Sequence, residues 1–313
     1  MFKKSFFNLF PPPTFLNIPY AGIDISDDAI RCIEYTEGTK GLTLGRFGTK
    51  ILEKGIVESG RIIKEADLIK AVSILTKELK IKTVKASLPE ERMYLFKTEV
   101  PMANEDQIRQ NIEFKLEENI PLSAADALFF FDLIPKIEHK DEKNIASVSV
   151  APRDLVVSYL NVLRSAGLDV ISFEIQPKAI ARAVVLKGST ENHLIIHIMN
   201  NKTGIYIVCG GVVCFTSTVA IGKDSESSLF QRELSRVYSY WGEYGSGRKI
   251  NKIIITGKDA IRVGNDSVVS PDPKITVEIA NVWQNAFSSD SFIPSITFEE
   301  SLEYVIAAGL ALP

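Results

Sequence analysis

Apolar and polar positions repeat in the same order at two places in the chain. Tyr20–Tyr35 reads YAGIDISDDAIRCIEY and His193–Val208 reads HLIIHIMNNKTGIYIV. Each stretch is an apolar strand, a polar turn (Ser26-Asp27-Asp28; Asn200-Asn201-Lys202) and a second alternating strand. A third strand follows each, Leu42–Leu52 in the first half and Val212–Ala220 in the second. A β-meander opened by a tight polar hairpin, present once in each half, predicts a duplicated fold of two lobes.

Helical spacing appears between the meanders. Leu68, Val72, Leu75 and Leu79 share one face over Glu65–Leu79. Thr83–Leu88 is a short strand stopped by Pro89, and Glu91–Val100 reads as the next. Asn104 with Gln107 forms a capping box for a helix that buries Ile108, Ile112 and Leu116 and ends at Pro121. Strands are expected at Ala127–Ile134 and Ile145–Ala151, joined by a charged turn around His139–Lys143. Pro152 opens a helix carrying Leu155, Val156, Tyr159, Leu160 and Leu163, with Gly167 as its C-cap, and Val170–Glu174 returns as a strand. From Lys97 the order is β-α-β-β-α-β, an α+β unit inserted in the first lobe.

The second lobe continues the alternation. Gln176–Leu186 is a helix leading into the second meander. Phe230, Leu234, Val237 and Trp241 line one face of a helix from Ser227 that stops at Gly245–Gly247. Lys252–Thr256 is a strand, and Glu278–Trp283 a short strand or turn. Thr297 and Glu300 form a capping box for a last helix burying Leu302, Val305, Ile306 and Leu310.

Composition narrows the class. The chain has 313 residues, 45% hydrophobic and 24% charged, with a net charge of −3. That balance suits a globular protein and carries no electrostatic footprint for nucleic acid. Cys32, Cys209 and Cys214 have no metal-ligand spacing and apolar neighbours, which predicts buried free thiols in a reducing compartment. No apolar run reaches the roughly 20 residues a membrane-spanning helix needs.

The N-terminus, MFKKSFFNLFPPP, is not a signal peptide: its apolar part is short and no small-residue cleavage site precedes the prolines. Phe2, Phe6 and Phe10 share a helical face beside Leu9, and Pro11-Pro12-Pro13 stops the helix. So short a helix must dock, on the body of the protein, on a partner or on a lipid surface.

The chain resembles the PilM-type type IV pilus assembly proteins, actin-like relatives of the division protein FtsA. The matching pieces stand in family order from about Tyr20 to Leu312: AGIDIS, ASLPEERMYLF, DQIRQNIEFKLEENIPLSAADALFFFDL, SVSVAPRDLVVSYLNVLRSAGL, SFEIQPKAIARAV, GGVVCFTSTVAIG, KIIITG and SLEYVIAAGLAL. The most specific is IEFKLEENIPL followed by the APRDLV…AGL stretch, inside the inserted unit. The resemblance implies an α/β, actin-like (duplicated ribonuclease-H-like) two-lobed fold with an inserted β-α-β-β-α-β subdomain. The expected divisions are residues 1–19 as an N-terminal segment, 20–96 as the first lobe and 97–174 as the insert. Residues 175–189 return to the first lobe, 190–298 form a shortened second lobe, and 299–313 return as a helix to the first.

In that fold the two hairpins hold the phosphates of ATP, and this chain departs from the pattern. Phosphate binding needs glycine for backbone approach, small hydroxyls and an aspartate for magnesium. The first hairpin keeps Asp24 at the magnesium position, but Ser26 replaces the glycine and Asp27 and Asp28 replace serines. A carboxylate facing a phosphate charge at about 5 Å costs on the order of 3 kcal/mol at an effective dielectric of about 20, which bound magnesium can offset. In the second hairpin His197 and Met199 stand where the family has aspartate and glycine, leaving Thr203 as the hydroxyl. His197 has no catalytic partner in the sequence and reads as a packed histidine. The adenosine loop is Gly257-Lys258 rather than Gly-Gly, and Lys223–Asn251 is short for the segment that supplies a wall and a lysine to the adenosine pocket. The expectation is a vestigial nucleotide site at Asp24, Ser26, Thr203 and Gly257, with Asp24 the magnesium anchor if ATP binds, or else a stabiliser of the turn.

The resemblance further implies a protein at the cytoplasmic face of the inner membrane. There it captures the N-terminal tail of the membrane protein PilN in a groove between the first lobe and the insert, and links the alignment complex to the pilus motor ATPase. Leu88, Tyr94 and Phe96 fall on the groove wall, and equally fit plain core positions. Phe2, Phe6 and Phe10 offer a peripheral membrane contact. Competing expectations are an ATP-binding switch whose nucleotide state sets partner affinity, an FtsA-like filament former, or the cytoplasmic half of a type II secretion assembly protein.

Overall fold

A computed structural model of the chain describes residues 18–38, 41–136, 144–222, 227–245, 247–288 and 290–313. The expected Phe2–Phe10 helix and the turn around His139–Lys143 lie outside these residues. The first lobe begins with strands β1 (Ala21–Ile25), β2 (Ala29–Gly38) and β3 (Gly41–Ile51). A small hairpin follows, β4 (Val57–Glu58) and β5 (Arg61–Ile62), then helix α1 (Glu65–Glu78) and strand β6 (Thr83–Leu88). The inserted unit contributes β7 (Tyr94–Val100), α2 (Glu105–Asn119), β8 (Ala127–Leu133), β9 (Asn144–Pro152) and α3 (Arg153–Ser165). After β10 (Asp169–Ile175) and α4 (Gln176–Val184), the second lobe holds β11 (Asn192–Ile198), β12 (Thr203–Cys209) and β13 (Val212–Val219). It is completed by α5 (Ser227–Tyr244), β14 (Lys252–Thr256), α6 (Ala260–Ser267) and β15 (Thr276–Ile279). The chain closes with α7 (Phe298–Ser301), a 3-10 turn and α8 (Val305–Ala311).

Two mixed five-stranded sheets carry the duplication, in the orders β10-β6-β1-β2-β3 and β13-β12-β11-β14-β15. The two meanders are antiparallel and β6 and β14 run parallel to the central strands β1 and β11. Those two strands are covered on both faces, so polar alternation is lost there and every residue of β1 is buried. Between the sheets lie α8, packed on β1, and α4, packed on β13, in contact with one another. Glycine makes this possible: a Cβ at Gly22 would lie 2.0 Å from the Ala307 carbonyl oxygen, and one at Gly309 would lie 1.8 Å from that of Ala179. The largest apolar core therefore runs from the second sheet through α4 and α8 toward the first lobe.

Several elements differ from the expectation. The chain leaves β6 through a 3-10 turn, Glu90–Arg92, and strand β7 starts only at Tyr94. At this turn the Glu90 side chain reaches Tyr206 and Thr218 of the second lobe. The order β-α-β-β-α-β holds, but β10 pairs with β6 in the first sheet, so the inserted unit has a three-stranded antiparallel sheet, β7-β9-β8. Helix α3 buries Tyr159, Val162 and Leu163 in the first-lobe core, and Pro152 both ends β9 and stands as the N-cap of the helix. The strand expected near Glu278–Trp283 ends at Ile279, because Asn281 Oδ1 accepts the Trp283 amide at 3.1 Å and turns the chain. Asn104 caps α2 by accepting the Gln107 amide at 2.9 Å. At α7 both bonds of the Thr297–Glu300 capping box form.

Candidate functional site

The two hairpins meet across a cavity of about 580 Å³ between the lobes. On one wall stand Asp24, Ser26, Asp27, Asp28 and Arg31, and on the other His197, Met199, Asn200, Asn201 and Lys202. Lys258 and Glu303 line it as well.

Strand β1 carries Asp24 to the cavity floor, where it is 3% exposed. Its Oδ1 accepts from Ser87 Oγ at 2.6 Å and from Gln176 Nε2 at 2.9 Å. Burial raises its pKa, against the lowering effect of these two donors and of Arg31. Asp24 thus joins β1 to β6 and α4. The bonds that hold the turn belong to its neighbours. Ser26 Oγ lies 2.7 Å from Asp28 Oδ1 and 2.9 Å from the Ala29 carbonyl oxygen, and accepts from Arg31 Nη1 at 3.2 Å. Asp27 accepts the backbone amides of Ser59 and Gly60 at 3.0 and 3.1 Å. These two residues turn the β4–β5 hairpin with φ of +45° and +70°, so both amides point the same way. Asp28 is pulled two ways: burial raises its pKa, but Arg31, Ser26 and Lys258 prevail and hold it below the usual range. Arg31 also donates to Glu303 at 3.2 Å.

The second hairpin is closed by the Met199 amide donating to the Lys202 carbonyl at 2.9 Å. Thr203 is buried and its Oγ1 donates to the Ile221 carbonyl at 2.6 Å, inside its own lobe. Gly257, with φ of +101°, turns β14 toward α6; a Cβ there would lie 2.3 Å from the Ile198 carbonyl oxygen. Neither Thr203 nor Gly257 lines the cavity, whereas Asp24 and Ser26 do. His197 is buried on the cavity wall, and burial, with Arg31 and Lys202 nearby, drives its pKa down to about 3. It is a neutral, packed histidine.

Across the gap the hairpins bond to each other. Asn200 Nδ2 donates to Asp28 Oδ2 at 3.2 Å, and Lys202 Nζ pairs with Glu91 and lies 3.8 Å from Asp27 Oδ2. Lys258 Nζ lies 3.8 Å from Glu303 Oε1 at another edge of the cavity. Beside them Glu90 reaches into the second lobe, where Tyr206 Oη donates to it and Thr218 Oγ1 donates at 2.7 Å. Burial pushes the Glu90 carboxyl up to about 7 despite these donors. Sequence reasoning missed Glu90, Glu91 and Gln176 and placed Lys202 only in the polar turn; an adjacent acidic pair directly after Pro89 was the one local signal for Glu90 and Glu91.

The residues present do not fit magnesium-ATP. Hydroxyls that would meet phosphate are bonded elsewhere, two hairpin-tip carboxylates face its path, and Asn200 and Lys202 already bridge to Asp28 and Asp27.

The second candidate surface is the inserted unit. Leu88 ends β6 inside the first-lobe core at 3% exposure and offers no side-chain surface. Tyr94 and Phe96 are half-buried against the insert's own core, while Leu95, from the other face of β7, packs on the second lobe. Lys97 Nζ donates to the Tyr244 carbonyl at 3.3 Å and stands 4.8 Å from the centre of the Trp241 ring. Strand β8 pairs with β9 alone among the described residues. Lys178 of α4 reaches it, with Nζ 2.8 Å from Asp132 and 5.0 Å from the centre of the Phe130 ring.

All three cysteines are buried and free. Among the described residues no helix is long and apolar enough to cross a membrane, and no cluster of His, Cys, Asp and Glu has metal-binding geometry.

Comparison with known proteins places this geometry. The family model "Type IV pilus assembly protein PilM" matches residues 22–238. No curated protein matches the chain. A solved "PilM-PilN type IV pilus biogenesis complex" is similar over 94% of this chain and 98% of that one, at 15% identity and a TM-score of 0.75. The cytoplasmic domain of EpsL, an inner-membrane component of the type II secretion system of Vibrio cholerae, is similar over 92% and 94%, at 12% identity and a TM-score of 0.51. The ethanolamine utilization protein EutJ of Carboxydothermus hydrogenoformans covers 95% and 90%, at 12% identity and a TM-score of 0.51. The chain has the actin-like ATPase fold, with two five-stranded mixed sheets and a small antiparallel subdomain, and it belongs to the type IV pilus assembly protein PilM family.

Proposed function

We propose that this protein is a non-catalytic scaffold of type IV pilus assembly. It stands at the cytoplasmic face of the inner membrane, binds the short N-terminal tail of a PilN-like membrane protein, and links the alignment complex to the pilus motor without turning over ATP. The observation that carries the reading is a contrast: among the described residues the inserted unit keeps a sheet edge with no strand partner, while the hairpins that would grip a nucleotide grip each other. An extended tail fits the free edge of β8 by strand addition, with main-chain bonds for affinity and alternate side chains for specificity. Phe130, Asp132 and Lys178 lie on that strand and the helix facing it, and offer apolar, acidic and basic contacts. The similarity to a PilM–PilN complex supports the choice of partner.

The test is calorimetric titration of the full chain with the N-terminal peptide of a PilN-type protein from the same genome. Binding at micromolar concentrations that weakens in Phe130→Ala is expected. No binding at tens of micromolar sinks the proposal.

A further inference from the structure

The geometry points to a clasp that replaces the nucleotide: Asn200 and Lys202 of one hairpin bind Asp27, Asp28 and Glu91 of the first lobe directly, holding the lobes closed with protein groups alone. The two hairpins have complementary tips, carboxylates on one and an ammonium with two amides on the other. With a phosphate between them both tips would need donors; facing each other, one must accept and the other donate.

The contacts form a closed ring. Lys202 pairs with Glu91 and, at 3.8 Å, with Asp27. Asp27 accepts the Ser59 and Gly60 amides. Arg92 Nε, next to Glu91, donates to the Ser59 carbonyl at 2.8 Å and closes the circuit. Lys202 and Glu91 side chains are only 25% and 14% exposed, so solvent screens the pair less than a surface bridge. Burial works against the Lys202 charge, yet Glu91 and Asp27 hold its pKa above the ordinary value. Asn200–Asp28 adds a second span and Lys258–Glu303 a third. Of these groups Lys202 is the one that holds two first-lobe carboxylates at once.

Pulsed electron-spin distance measurement on the full chain tests this. Labels go on Ile74→Cys of α1 and Ile261→Cys of α6, both exposed, while the native thiols are buried. The parent is expected to give one narrow distance that millimolar magnesium-ATP leaves unchanged. Asn200→Ala with Lys202→Ala is expected to add a longer distance, raising the open-to-closed ratio about tenfold, and Lys202→Arg to restore the narrow one. If the double variant does not fold, Lys202→Gln alone is read the same way with a smaller shift. A narrow distance that persists in the variant, or a parent that shifts with magnesium-ATP, overturns the clasp. The tail-peptide titration is independent: loss of peptide binding with an intact narrow distance counts against the scaffold reading alone.

Discussion

The two hairpins share a backbone and differ in what they bury. In the first, Asp24 on β1 stands opposite Arg31 on β2; in the second, the corresponding pair is His197 on β11 and Gly204 on β12. Both leading positions are buried, and burial pushes each toward neutrality, up for the aspartate and down for the histidine. Arg31 fills its site and reaches Ser26, Asp28 and Glu303. Gly204 leaves its site empty, and the space is taken by Tyr206 of the same strand and by Glu90 from across the lobes. One hairpin therefore organises its own lobe, and the other is a socket for the opposite lobe. Duplication supplied the frame; the difference between arginine and glycine at one register position decides which side inserts.

The sharpest way to break that comparison is to fill the socket. A Cβ at Gly204 would lie 1.9 Å from Tyr206 Oη and 2.8 Å from Glu90 Oε1. Gly204→Val must expel the Tyr206–Glu90 bond or shift β12, and is expected to cost about 3 kcal/mol or more. Urea denaturation checks it, and a loss below about 1 kcal/mol means Glu90 is not socketed in solution.

The pH dependence separates the two sides next. The Glu90 carboxyl titrates near 7 in the fold against 4.5 as its ordinary value. The folded state then binds the extra proton between those values, so stability falls as pH rises from 4.5 to 7, by up to about 1.4 kcal/mol per unit. His197 has the opposite sign of shift, from 6.5 down to about 3. Here the unfolded chain takes the proton, so stability falls as pH drops below 6.5, at the same limiting slope. Between about pH 4.5 and 6.5 the two slopes oppose and largely cancel in the parent, so Glu90→Gln is expected to uncover a stability that rises with pH there and His197→Leu one that falls. Thermal unfolding from pH 4 to 8 reads both, and a variant that uncovers no slope in that window shows that the remaining group does not titrate as stated.

Strand alternation made the duplicated meanders legible, because a half-buried strand writes its faces into every second residue. Helix ends were legible at Asn104, Thr297 and Gly167, where a cap is a local bond or a single left-handed residue. The seam was not. Glu90 meets Tyr206 and Thr218 more than a hundred positions away, and Lys202 meets Glu91 at a similar remove, so no local spacing encodes either. The same applies to β10, whose alternation fits the inserted sheet as well as the first-lobe sheet it joins. At the site, reading Asp24 as a magnesium anchor followed from its position in the motif; its donors, Ser87 and Gln176, come from β6 and α4. Departures at Met199 and Lys258 were visible as residue types, while the clasp required both hairpins in one frame.

The smallest effect sharpens the comparison at the turn tips, at Asp27 of the first hairpin and Asn201 of the second. Asp27 receives one backbone amide on each oxygen, Ser59 on Oδ2 and Gly60 on Oδ1. Asp27→Asn keeps a single acceptor and turns an amide group toward the other N–H, so one bond is lost. The side chain is 39% exposed, and solvent discounts its charge contact with Lys202. A loss of about 1 kcal/mol is expected. Asn201 is exposed on the cavity rim, and Asn201→Ala is expected to change stability by less than about 0.5 kcal/mol. Chemical denaturation of the two variants side by side decides it. Equal losses would make the tips equivalent and leave the acidic hairpin without its second task of holding the β4–β5 turn, whereas the expected inequality places that task on Asp27.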